Sequence, residues 1–146
     1  MTSEFSVAVH ALVYLSHKAA TVSSEALAEN ICTNPTRVRK IMGRLKKAGL
    51  ISTKEGLDGG YIISQKAGET TLQDVAEALE VTFVAASWHS GNPDMDCLVA
   101  SGMADVMDQI YGELDWLCKE RLKQITIAEL EKKIFSNKKR EKYETV

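Results

Sequence analysis

Asn34-Pro35-Thr36-Arg37-Val38-Arg39-Lys40-Ile41-Met42-Gly43-Arg44-Leu45-Lys46-Lys47-Ala48-Gly49 is the stretch from which the fold is read. Asn34 suits an N-cap, because its side-chain oxygen can accept from the free N–H groups of a helix's first turn. Pro35 suits the first helical position, where the missing N–H is no loss, and Gly49 suits the left-handed residue that closes a helix. The spacing therefore predicts a helix from Asn34 to Ala48. One face is apolar, with Val38, Ile41, Met42, Leu45 and Ala48; the opposite face carries Arg37, Lys40, Arg44 and Lys47, with Arg39 and Lys46 at its flanks. A merely solvated face mixes signs to form i,i+4 pairs. Here all six charges between Arg37 and Lys47 are positive, the pattern of a helix that neutralises phosphates.

Upstream, Phe5 to Lys18 has apolar residues at helical spacing, and Ser23 or Ser24 can cap a short helix through Glu29. Downstream, Leu50–Thr53 and Tyr61–Ser64 read as strands around a glycine-rich turn, which makes a β-hairpin. Helix, helix, helix, hairpin is the winged helix-turn-helix plan, mainly α with a small β wing. The N-terminal turn of the third helix (Asn34, Thr36, Arg37) can then reach base edges in the major groove. In the wing, Gly56, Gly59 and Gly60 let the backbone turn and lie close to a phosphate or groove wall, and Lys54 supplies charge.

The charge is distributed to match. Residues 1–66 carry nine Lys/Arg against five Asp/Glu, whereas residues 67–146 carry nine against fifteen, and no Lys or Arg occurs from Ala67 to Cys118. A basic first half and an acidic second half imply two jobs in one chain, so an overall charge of −2 does not argue against DNA. The expected organisation is a DNA-binding domain at 1–66 and a connecting helix and loop at 67–97. A long dimerisation helix with a short helix follows at 98–135, and a flexible charged tail at 136–146. Thr71 with Asp74 caps a helix from Leu72 to Glu80.

Along the long helix, expected over Leu98–Lys123, Met103, Val106, Ile110 and Leu117 form one apolar stripe. Met107, Tyr111, Leu114, Cys118, Leu122 and Ile125 form a second beside it. One stripe serves packing within a chain; two adjacent stripes can also bury against a second copy. Met103, Val106, Ile110, Leu114 and Leu117 are the candidate dimerisation residues.

The chain resembles the Rrf2-type bacterial transcription regulators. The resemblance is carried by Asn34-Pro35, Val38-Arg39-Lys40-Ile41, Leu45, Ala48-Gly49-Leu50-Ile51, then Gly56-x-x-Gly59-Gly60-Tyr61 and Thr71-Leu72-x-Asp74-Val75. It implies a homodimer that binds an inverted-repeat operator in double-stranded DNA, usually as a repressor. It also implies base-reading positions at Asn34, Thr36 and Arg39. Two departures stand out. The wing position where an arginine is usual holds Glu55. Cluster-binding members have three closely spaced cysteines before the long helix, and this chain has only Cys97 there, with Ala100 where a histidine ligand is expected. A dimer-shared site would add only a second Cys97 and the two His89 side chains, so no iron–sulfur cluster or other cofactor is expected.

Cys32, Cys97 and Cys118 include no CxxC pair and fit fillers of a reducing compartment. Cys97 is nonetheless the candidate redox thiol; Asp94 and Asp96 beside it are expected to raise its pKa. No nucleophile motif, phosphate loop or paired-carboxylate arrangement points to an enzyme. The apolar run near the N-terminus is too short to span a bilayer and lacks secretory flanks, so a cytoplasmic protein is expected. Besides DNA and a second copy, the acidic half leaves room for a protein or small-molecule effector. A regulatory partner of a metabolic enzyme is the alternative reading.

Overall fold

A computed structural model of the chain describes residues 2–64 and 68–144. The expected domain boundary at 66/67 and the last two residues of the expected tail lie outside the described residues. The chain divides into two compact units, Met1–Val81 with Leu122–Val146, and Thr82–Arg121.

The first unit opens with α1 (Thr2–Lys18), α2 (Ser24–Ile31) and α3 (Pro35–Lys47). The Ser23 hydroxyl caps α2 by accepting from Ala26 N–H, and Cys32 closes the helix in a left-handed conformation, φ 65°. Asn34 caps α3 as its sequence predicts, accepting from Arg37 N–H at 2.8 Å. Ala48 ends the helix, and Gly49, at φ 81°, turns the chain out of it. The antiparallel strands β1 (Ile51–Lys54) and β2 (Gly60–Ile63) follow, with Ile51 opposite Ile63 and Lys54 opposite Gly60. Both differ by a residue from the sequence expectation, the usual uncertainty of element ends. Helix α4 (Leu72–Ala78) starts at a complete capping box between Thr71 and Asp74.

The core sits where α1, α3 and α4 meet. Ala8, Ala11, Leu12 and Leu15 of α1, Val38, Ile41, Met42 and Leu45 of α3, and Val75 and Ala76 of α4 are buried. Burying a Leu, Ile or Val side chain contributes roughly 1.5–3 kcal/mol, so this cluster fixes the orientation of α3.

The second unit contains the loop from Thr82 and α5 (Leu98–Leu122) up to Arg121. Its interior polar feature is Asp115. That buried carboxylate accepts from Phe83 N–H at 2.6 Å and Val84 N–H at 3.0 Å, and pairs with Lys119 at 2.8 Å. Burial pushes its pKa up, but the Lys119 ammonium and the two backbone donors outweigh that and hold it below the ordinary value.

The last helix differs most from expectation. Helix α6 runs Ile127–Glu144, well past the point where the charged composition predicts a frayed tail. Lys, Glu and Arg are good helix formers, and no Gly or Pro interrupts the run. This helix belongs to the first unit. Ile127 is fully buried, Leu72 N–H donates to Ile125 O, and Ile127 N–H donates to Thr70 O. Glu131 accepts from the Ser16 hydroxyl at 2.8 Å and lies 3.4 Å from the His17 ring, which stacks on Phe135. No helix among the described residues is long and apolar enough to cross a membrane.

Candidate nucleic-acid interface

Helix α3 buries one face, so its remaining surface divides into a centre and two flanks. Thr36, Lys40 and Lys47 occupy the exposed centre. Neither Lys40 nor Lys47 has a hydrogen-bond or ion-pair partner among the described residues, so both ammonium groups are available to an outside anion.

The arginines are held. On the α1 flank, Arg37 donates to the Ser3 hydroxyl at 2.8 Å. Arg44, which sequence spacing aligns with Lys40 and Lys47, turns back into the fold. It donates to the Leu79 carbonyl at 2.6 Å and to Glu4 at 3.3 Å. Its guanidinium thus ties α3 to both α1 and α4. On the other flank, Arg39 donates to the Ser24 and Thr36 hydroxyls and pairs with Glu25 at 3.6 Å, an exposed contact of little stabilising worth. Lys46 donates to the Thr53 hydroxyl at 2.9 Å, linking α3 to β1. Asn34 spends its side-chain oxygen on the cap, leaving its exposed amide NH2 to face outward.

The wing is stitched to the helices at Tyr61, which exchanges backbone hydrogen bonds with Val22 at 2.8 and 2.9 Å. This contact gives the glycines a role the sequence reading missed. At Gly60, φ is 151° and the place of a Cβ is filled by the Val22 carbonyl; at Gly59 it is filled by the carbonyls of Lys54 and Gly56. The close approach these two glycines permit is to the chain's own backbone. Gly56 faces open space, and Leu57 beside it is fully exposed. Lys54 is exposed at the end of β1.

In the second unit, Met103, Val106, Ile110, Leu114 and Leu117 are all exposed, at 39–55%. Met107, Tyr111 and Cys118 of the neighbouring stripe are half-buried. Leu114 therefore goes with the exposed row rather than with the half-buried stripe that its spacing suggests. His89 pairs with Asp108 at 2.8 Å. Cys97 immediately precedes the first turn of α5 and is exposed. The N–H groups of Ala100 and Val99 hold its thiol below the usual range, opposite to the expectation from Asp94 and Asp96.

Three helices, an N-capped third helix with an exposed cationic centre, and a hairpin sewn beside it define a winged helix-turn-helix protein of the transcription-regulator class. The sequence profile of the Rrf2 family, described as "Iron-dependent Transcriptional regulator", matches residues 1–133, and the chain belongs to that family. YwnA of Bacillus subtilis, whose given name places it with helix-turn-helix regulators, is 25% identical over 92% of this chain and 99% of its own. A Lactobacillus plantarum crystal structure superposes with a TM-score of 0.79 at 23% identity, covering 99% of this chain and 98% of the other. CymR, the global cysteine regulator of B. subtilis, superposes at 0.67 with 16% identity, over 90% of this chain and 95% of its own. At those identities the two structures speak for the fold alone.

The family description raises the question of iron. Among the described residues, no three His, Cys, Asp or Glu side chains are gathered where they could hold a metal ion, and all three cysteines are free and separate. The donors gathered among the described residues of one chain do not make up the four ligands that an iron–sulfur cluster ordinarily needs.

Proposed function

We infer that the protein is a homodimeric repressor acting on cytoplasmic DNA, with one α3 in each major-groove half of an inverted-repeat operator. The observation that carries this is the exposed, single-sign centre of α3, where Lys40 and Lys47 have no partner among the described residues. In this reading Asn34, Thr36 and Arg39 address bases. Arg37, Lys40, Lys47 and Lys54 address phosphates, and Arg44 holds the helix at its angle. Glu25 neutralises Arg39 in the free protein, so reading a base means exchanging a carboxylate partner for a base edge. Gly59 and Gly60 contribute by shaping the wing.

The exposed row on α5 supports the dimer. Half-sites about 34–36 Å apart, one helical turn of DNA, require two copies in fixed register. The test is fluorescence anisotropy on the DNA upstream of the protein's own gene, at salt concentrations from 50 to 200 mM. The expected result is affinity that falls steeply with salt, together with a dimer in sedimentation equilibrium. Binding that is absent, or insensitive to salt, defeats the DNA assignment. A monomer at micromolar concentration defeats the dimer.

A further inference from the structure

We propose that Gly43 sets the depth at which DNA seats on α3: lacking a side chain, it lets the groove edge reach the helix backbone between Lys40 and Lys47. This rests on the DNA-binding reading above and adds a residue to it. Glycine in the middle of a helix weakens that helix relative to alanine, because it loses the most backbone freedom on folding. Such a residue in a 13-residue helix calls for a reason.

The fold supplies none. Gly43 is absent from the residues with positive φ, and a Cβ placed on it meets nothing within 4 Å. Gly59 and Gly60, by contrast, have backbone carbonyls where a Cβ would go. Gly102 and Gly112 of α5 are equally open; what sets Gly43 apart is its place on the cationic surface of α3. Helical spacing puts Thr36, Lys40, Gly43 and Lys47 on one exposed row opposite the buried face. The two lysines, without partners among the described residues, flank the glycine with long cationic arms, so the row is cationic on either side of Gly43 and bare at it. That shape suits a rigid polyanion whose phosphates are met by the arms while a groove edge meets the backbone. Double-stranded DNA has that form.

The test uses the full-length Gly43→Ala, Gly43→Leu and Lys47→Ala variants. Each is titrated against a duplex from upstream of the protein's own gene and against a random-sequence duplex, with thermal denaturation alongside. Gly43→Ala is expected to raise Tm by about 2–4 °C. It should also weaken binding to the upstream duplex about tenfold, and Gly43→Leu should weaken it about a hundredfold. Binding to random duplex, which rests on phosphates, should fall less, so the specificity ratio shrinks. A protein that is stabilised yet binds worse separates this role from a structural one. If Lys47→Ala loses affinity while Gly43→Leu binds like wild type, the interface stands and the Gly43 inference falls. A lower Tm in Gly43→Ala also overturns it, since the fold would then need the glycine. Wild-type protein without salt-sensitive binding to either duplex brings down both readings.

Discussion

Gly60 lies directly against the carbonyl of Val22, so the base of the wing and the connection between α1 and α2 share a space that has no room for a side chain. Gly60→Ala must move the wing or break the Val22–Tyr61 hydrogen-bond pair. The expected cost is about 2–3 kcal/mol in urea denaturation, combining the positive φ with the steric clash. Gly56→Ala pays only for its φ of 111° and should cost less, about 1 kcal/mol.

Arg44 and Lys47 are separable. Arg44→Ala leaves the Leu79 carbonyl and Glu4 without their donor, and is expected to lower stability by about 2 kcal/mol, mostly through the carbonyl contact. Lys40→Ala and Lys47→Ala should leave stability unchanged, within about 0.5 kcal/mol. Each should instead reduce the slope of log affinity against log salt by about 0.9. Equal denaturation midpoints for Arg44→Ala and Lys47→Ala would contradict the division.

Asp115→Ala strands the N–H groups of Phe83 and Val84 and is expected to cost about 3 kcal/mol. Both tryptophans, Trp88 and Trp116, lie in the Thr82–Arg121 unit, so tryptophan fluorescence during denaturation follows that unit directly. The pH dependence has a definite sign. Asp115 has a folded pKa below its ordinary value, so its contribution is complete at neutral pH. It fades once the pH drops below the ordinary carboxylate value, and is gone below the folded one. The wild-type unit should therefore lose stability on acidification more steeply than Asp115→Asn.

Cys97 should be alkylated by iodoacetamide faster than Cys32 or Cys118 at pH 7.5, with a rate–pH midpoint below that of an ordinary thiol. Peptide mapping after brief exposure measures this. Preferential labelling of Cys32, which is also exposed, would show that the first turn of α5 does not hold the thiolate.

The parts legible in sequence were those whose chemistry is local. Asn34 with Pro35, Thr71 with Asp74, and Gly49 each act within three or four residues, so pattern alone located α3 and α4 closely. The exposed row of α5 followed from periodicity. Contacts across long sequence separations were not legible. Helical spacing aligns Arg44 with Lys40 and Lys47 because nothing nearby announces Glu4 or Leu79, forty and thirty-five residues away. Cys97 failed for a related reason: Asp94 and Asp96 are its neighbours in sequence, while the groups that govern its proton are N–H donors of a helix turn. The wing glycines stand out in sequence, but the constraint on Gly60 comes from Val22, on the far side of two helices in sequence.

The hydrogen bonds joining Thr70–Leu72 to Ile125–Ile127 have a mechanical consequence. The points where the chain departs for Thr82–Arg121 and returns from it are fastened to each other within the first unit. The two stretches of chain that make up the first unit are thereby tied to each other by bonds that do not pass through Thr82–Arg121, so a cut or insertion inside that segment leaves the tie in place.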